Sequence, residues 1–204
     1  MNLTKNIKKA KQLGFTLIEM IGVLAIIAVL AGLLLPRIFE AINEARINSA
    51  ALGYNTAKSA SMGYFGKFGR FGDANGIALT NDLSAGTNWG PVLLSTGFLD
   101  KPFTTKIGTA SEIQIIEAVS SAVDGDNSAY NFDDTGTANQ ATGGAVVIQI
   151  KLVDVALSDA KSLSLRVDGE TLSETTGDSD LIGKVKYNFG GTQTGDVYMY
   201  IAHK

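Results

Sequence analysis

The chain has 204 residues, a formal net charge of −3, no cysteine, one histidine and 23 glycines. The absent cysteines exclude thiol catalysis, disulfides and cysteine-based zinc sites, and the single histidine, His203, leaves nothing for a catalytic triad or a multi-histidine metal centre. Lys5, Lys8, Lys9 and Lys11 crowd the first 14 residues, so 13 cations face 20 acids after Gly14, a net of −7 that disfavours a general nucleic-acid binder.

The first predicted element is Phe15–Leu35, an apolar run of 21 residues with one charge, Glu19. As a helix it covers about 32 Å, the thickness of a bilayer core. The basic flank before it and the balanced flank after it (Arg37, Glu40, Glu44, Arg46) predict a cytoplasmic amino terminus and an extracytoplasmic remainder. The run is longer than a secretory h-region and lacks an A-x-A site, although Val29-Leu30-Ala31 offers a loose one. Glu19 costs about 2–3 kcal/mol inside hydrocarbon, less near the interface. Either it snorkels to the headgroups or it awaits a positive partner supplied on assembly.

Lys11-Gln-Leu-Gly14-Phe15-Thr16-Leu17-Ile18-Glu19, the apolar run and Pro36 resemble the class III leader and first helix of type IV pilins and type II secretion pseudopilins. The match covers Met1 to about Ala60. The resemblance implies a leader over residues 1–14, cleaved after Gly14 by a prepilin peptidase that also N-methylates Phe15. It implies that Glu19 neutralises the Phe15 amine of a neighbouring subunit, and that Pro36 marks where the helix loosens in a filament. The partners implied are the chain itself, the peptidase/methyltransferase, an assembly platform in the bacterial inner membrane, and lipid before assembly. Elementary chemistry agrees: Gly14 gives a peptidase backbone access, a charged amine in an apolar setting needs a counter-charge, and one buried ion pair fixes register between slippery helices. Pro36 cannot donate to the Gly32 carbonyl, so a weak point at 32–36 is expected.

The helical pattern continues amphipathically to about Ala60, with Ile38, Ile42, Ala45, Ser49 and Leu52 as the stripe expected to meet a sheet. The domain organisation is thus a long helix over 15–60, its 15–36 part in the membrane or a filament core, a connecting region over 61–110 and a sheet over 111–204. Glycine recurs at every third position from Gly63 to Gly72, interleaved with Tyr64, Phe65, Phe68, Phe71, Lys67 and Arg70. This reads as a glycine-rich exit whose rings pack under the head; stacking on single-stranded nucleic acid is the disfavoured alternative. Residues 73–110 are rich in turn formers. Strands are expected at Ile113–Val119, Ala145–Val155, Lys184–Phe189 and Asp196–Ala202, the last two as a hairpin around Gly190–Gly195. Leu157–Asp168 fits a strand or a helix capped by Ser158 and closed at Gly169; family likeness favours the helix. The fold class is α+β, a long helix on a small antiparallel sheet.

Oxygen donors cluster at Asp124-Gly-Asp126 and Asp133-Asp134 without the EF-hand pattern, so a solvated acidic loop is the simpler reading. Some pseudopilins hold calcium in a carboxyl-terminal loop, which makes Asp168, Asp178 and Asp180 further candidates; no other cofactor is expected. No nucleophile elbow or phosphate loop is present, and no enzyme is expected. The expected function is a filament subunit. Its alternatives are a type II secretion pseudopilus component and a non-assembling, membrane-anchored binding protein, for DNA among other ligands. The size of the head tilts the reading toward a surface filament.

Overall fold

The computed structural model describes residues 14–73, 75, 86–118, 129–134, 145–174 and 176–204. The chain divides into two compact units, Met1–Ile42 and Asn43–Lys204. Helix α1, Leu17–Phe68, contributes to both. In the first unit it is an apolar helix whose described residues are all exposed, helical without interruption through Pro36.

In the second unit α1 runs eight residues past the expected end at Ala60. The Gly-x-x repeat therefore begins as helix, and the exit falls at Gly69, whose φ of 69° suits a residue without a side chain. Two glycines inside this helix serve close approach instead. A Cβ on Gly53 would lie 3.3 Å from the Phe103 ring, and one on Gly63 would lie 3.1 Å from the Phe98 ring.

The face that α1 buries is not the expected stripe. Ala45, Ser49 and Leu52 are exposed, as are Ile38 and Ile42 in the first unit. Ile47, Ala50, Tyr54, Ala57, Ser61 and Tyr64 are buried. At about 100° per residue the two sets are rotated by roughly 130°. Aliphatic count misled here because the sheet is met by small residues, which let the backbones approach, and by tyrosines that bury a ring and still place a hydroxyl. The Tyr54 hydroxyl donates to the Tyr200 carbonyl at 2.9 Å.

Six strands form one antiparallel sheet in the order β1-β2-β3-β6-β5-β4. They are β1 Thr87–Asn88, β2 Ala110–Glu117, β3 Val146–Ala156, β4 Ser179–Asp180, β5 Val185–Asn188 and β6 Thr194–His203. The expected β5–β6 hairpin is present, while the two-residue edge strands β1 and β4 were not foreseen. The run at 145–155 holds a feature that alternation cannot show. Register shifts interrupt its pairing with β6, and Asp154 adopts φ 55° at the second one. Helix α2, Gly90–Ser95, lies in the connecting region.

Leu157–Asp168 is helix α3, closed by Gly169 at φ 78° as expected. Its amino-terminal cap is the Ala156 backbone, with no side-chain cap, so Ser158 does not have the expected role.

Period-two alternation sorts the sheet into two faces. Ile113, Ile115, Ile148, Ile150, Leu152, Val185, Tyr187, Val197, Met199 and Ile201 join α1, Leu93 of α2 and Leu163 of α3 in the main core. Each aliphatic side chain fully buried here contributes about 1.5–3 kcal/mol. On the other face Ile116, Val147 and Tyr198 form a second cluster with Tyr130, flanked by Phe132 and Tyr200.

Candidate assembly site

The candidate site begins where α1 begins. Gly14 and Phe15 precede the helix; both are exposed, Phe15 to 81%. Among the described residues a Cβ on Gly14 would meet nothing within 4 Å.

Thr16 and Glu19 form a reciprocal pair at the first turn. Thr16 donates to Glu19 Oε2 from its backbone nitrogen at 2.8 Å and from its hydroxyl at 2.7 Å, and the Glu19 N–H donates to Thr16 Oγ1 at 3.3 Å. This is a capping box, in which the residue before the helix and the third residue within it satisfy each other's free N–H groups. Thr16 was not among the expected site residues. The S/T-x-x-E pattern ahead of an apolar run was the signal that could have found it.

Beyond Glu19 the helix is long and apolar enough to cross a membrane, and none of its most apolar window is buried. Leu24, Ile27, Leu30, Leu33 and Leu34 are each more than half exposed. An uninterrupted apolar surface of that length is a surface meant for lipid or for another chain. Pro36 lies inside it.

The aromatic-basic stretch is built into the core. Tyr64 and Phe71 are buried, and both meet Trp89 edge-on, at ring-centroid distances of 4.9 and 5.7 Å. The Trp89 indole donates to the Gly72 carbonyl at 2.6 Å. Lys67 lies 5.2 Å from the Phe68 ring, and Lys204 lies 5.0 Å from the Phe65 ring. Rings committed to one another and to a tryptophan are not available as a stacking platform.

Of the acidic candidates, Asp124 and Asp126 lie outside the described residues. The carboxylates of Asp168, Asp178 and Asp180 bind backbone. Asp168 accepts from the Lys184 N–H at 2.9 Å and the Val185 N–H at 2.8 Å. A Cβ on Gly183 would fall 2.7 Å from the Asp168 carboxyl carbon, which explains a glycine there. Asp180, 1% exposed, accepts from the Ser164 hydroxyl at 2.6 Å, the Glu174 N–H at 3.2 Å and the Ile182 N–H at 3.1 Å. Asp178 accepts from the Gly191 N–H. Burial pushes the Asp168 and Asp180 carboxyls above the ordinary aspartate value, against the hydrogen bonds that pull them down. Among the described residues no three His, Asp or Glu side chains converge as a metal site would require.

Residues 9–35 match the family model described as the prokaryotic N-terminal methylation motif. No curated protein matches the chain. Among solved structures the chain is similar to the major type IV pilin PilA1 from Clostridium difficile, at 17% identity and a TM-score of 0.37, over 79% of this chain and 97% of that one.

Proposed function

From the prokaryotic N-terminal methylation motif that the chain carries, we propose that it is the precursor of a pilin-like filament subunit. The observation that carries the reading is a coincidence of place: the motif covers the segment whose apolar side chains are exposed along α1. In this reading the chain sits in the bacterial inner membrane with its amino terminus in the cytoplasm. A prepilin peptidase cleaves after Gly14 and N-methylates Phe15, and an assembly platform then moves the subunit from lipid into the filament. Lipid and filament core are both apolar, so the transfer leaves hydrophobic burial nearly unchanged. What distinguishes the two places is polar. The new Phe15 ammonium needs a counter-charge, and Glu19 of a second copy supplies it.

The protein is structural and not an enzyme in this reading, and the product is a type IV pilus-like filament in preference to a secretion pseudopilus. Mass spectrometry of the mature protein tests it. A first residue of Phe15 bearing a methylated amine is the expected result; an intact start at Met1, or a start at Gly32, would sink the proposal.

A further inference from the structure

We infer that the cleft between α1 and α3 is a binding site for a short zwitterionic peptide. Glu44 holds its ammonium end and Arg166 its carboxylate end. The inference does not rest on the filament reading, and every residue that lines the cleft belongs to the second unit.

The cleft has a volume of about 430 Å³, within the ~300–1,000 Å³ range of small-ligand sites. Its apolar part is Ile47 of α1, 7% exposed, and Leu165 of α3, 42% exposed. Leu165 is one of only three large apolar side chains exposed in the second unit among the described residues. Amides and hydroxyls stand beside this floor, Asn43 and Asn48 on α1, Ser158 and Ser162 on α3. Neither amide side chain makes a hydrogen bond among the described residues, although Asn48 is half-buried. Such a side chain offers both donors and an acceptor, the complement of a peptide group.

Of the three charges in the lining, one already has its partner. Arg46 donates to the Lys106 carbonyl from Nε at 3.0 Å and Nη2 at 2.8 Å, and it meets the Asp159 carboxylate at 3.8 Å. Glu44 and Arg166 remain, each without an ion pair among the described residues. They stand on opposite walls and toward opposite ends. Arg166 lies seven residues beyond Asp159 on α3, about 10 Å along the helix axis. Glu44 is two residues before Arg46, at the Asp159 end. A ligand that meets both carries a positive and a negative group several ångströms apart. An extended dipeptide separates its ends by roughly 7 Å, and the two side chains cover the remaining distance. A free amino acid is too short, and the terminus of a folded protein offers only one of the two charges. The peptide group between the ends matches Asn48 and Ser162, and an apolar side chain covers Leu165.

Titration of the isotope-labelled full-length protein in detergent micelles with alanyl-leucine tests this by NMR. The expected result is saturable shifts of the Asn48 side-chain amide and the Ser162 backbone amide, with a Kd of about 1 mM or tighter. Acetylating the probe's amine or amidating its carboxylate should each weaken binding about tenfold, the loss of one charge-assisted hydrogen bond. Glu44→Gln should remove only the sensitivity to acetylation, and Arg166→Gln only the sensitivity to amidation. Both side chains are exposed, so the exchanges leave the core intact. A merely structural role would not divide the two sensitivities between them. The inference is overturned by an absence of saturable shifts at these residues. It is also overturned by a blocked probe that binds as well as the free one, or by either variant losing both sensitivities together.

Discussion

Lys186 of β5 is fully buried, and its ammonium donates to the Ala129 carbonyl at 2.8 Å while lying 4.5 Å from the centroid of the Tyr130 ring. The Tyr198 ring, on the neighbouring strand, is 5.9 Å away. One charged side chain thereby fastens the Ala129–Tyr130 segment to the second face of the sheet. The carbonyl and the aromatic faces replace part of the water that a buried ammonium gives up.

Lys186→Met keeps the stem and deletes the charge. It should lower the unfolding free energy by about 1–3 kcal/mol, because the Ala129 carbonyl loses its donor and two rings lose their cation. Hydrogen exchange should show the loosening at 129–134 before any effect on α1. Unchanged urea unfolding and unchanged exchange at these amides would show that apolar packing by Tyr130 and Tyr198 suffices.

The reverse sign is expected at Ser61. This side chain is buried on the sheet-facing side of α1, and its hydroxyl has no hydrogen-bond partner among the described residues. Ser61→Ala removes an unsatisfied polar group and supplies a better helix former, so it should stabilise the protein by about 1 kcal/mol. Thermal or urea unfolding checks it. A loss of stability would mean that the hydroxyl makes a bond in solution.

Two carboxylates, Asp180 buried and Asp168 half-buried, make stability depend on pH in an unusual direction. Asp168 and Asp180 titrate above the ordinary aspartate value of 3.8, chiefly through burial. A carboxyl raised on folding binds more protons in the native state than in the unfolded chain. Its contribution is therefore most favourable in acid and declines as pH rises from about 4 through its folded value, then levels off. Asp180→Asn cannot titrate. Relative to that variant, the wild-type protein should lose stability as pH is raised from about 4 to 7. A constant difference across the range would show that the backbone and Ser164 hydrogen bonds cancel the burial. An opposite slope would show that they outweigh it.

The elements that sequence predicts well here are those with local causes. The apolar run and its basic flank predict a span, and alternation places β3 and the β5–β6 pair within a few residues. Gly169 closes α3 where a residue of positive φ is required. Sequence overreached at Ala60, because glycines at a three-residue spacing read as a loop. In the structure Gly63 makes room for Phe98, and the helix continues through it. The Phe98 and Phe103 rings, from a distant stretch, pack so closely on Gly63 and Gly53 that a Cβ there would be tight.

By itself, the sequence determined the chemistry of the amino-terminal segment. The order Gly14-Phe15-Thr16 followed by Glu19 holds the expected cleavage junction, a helix cap and a charge within six consecutive residues, and a capping box needs no distant partner. Tertiary structure decided which face of α1 is buried, because only the sheet's shape selects Ala50, Ala57 and Ser61 over Ile42 and Leu52. It also decided which groups Asp168 and Asp180 bind. Asp168 and Asp180 read alike as acids beside turns in one dimension, and in the fold both accept from backbone N–H groups. The low net charge met at the start divides in the same way. The four lysines that crowd the first 14 residues can be read from the sequence alone, whereas Lys186 acquires its role only when Ala129 and Tyr130 close over the sheet.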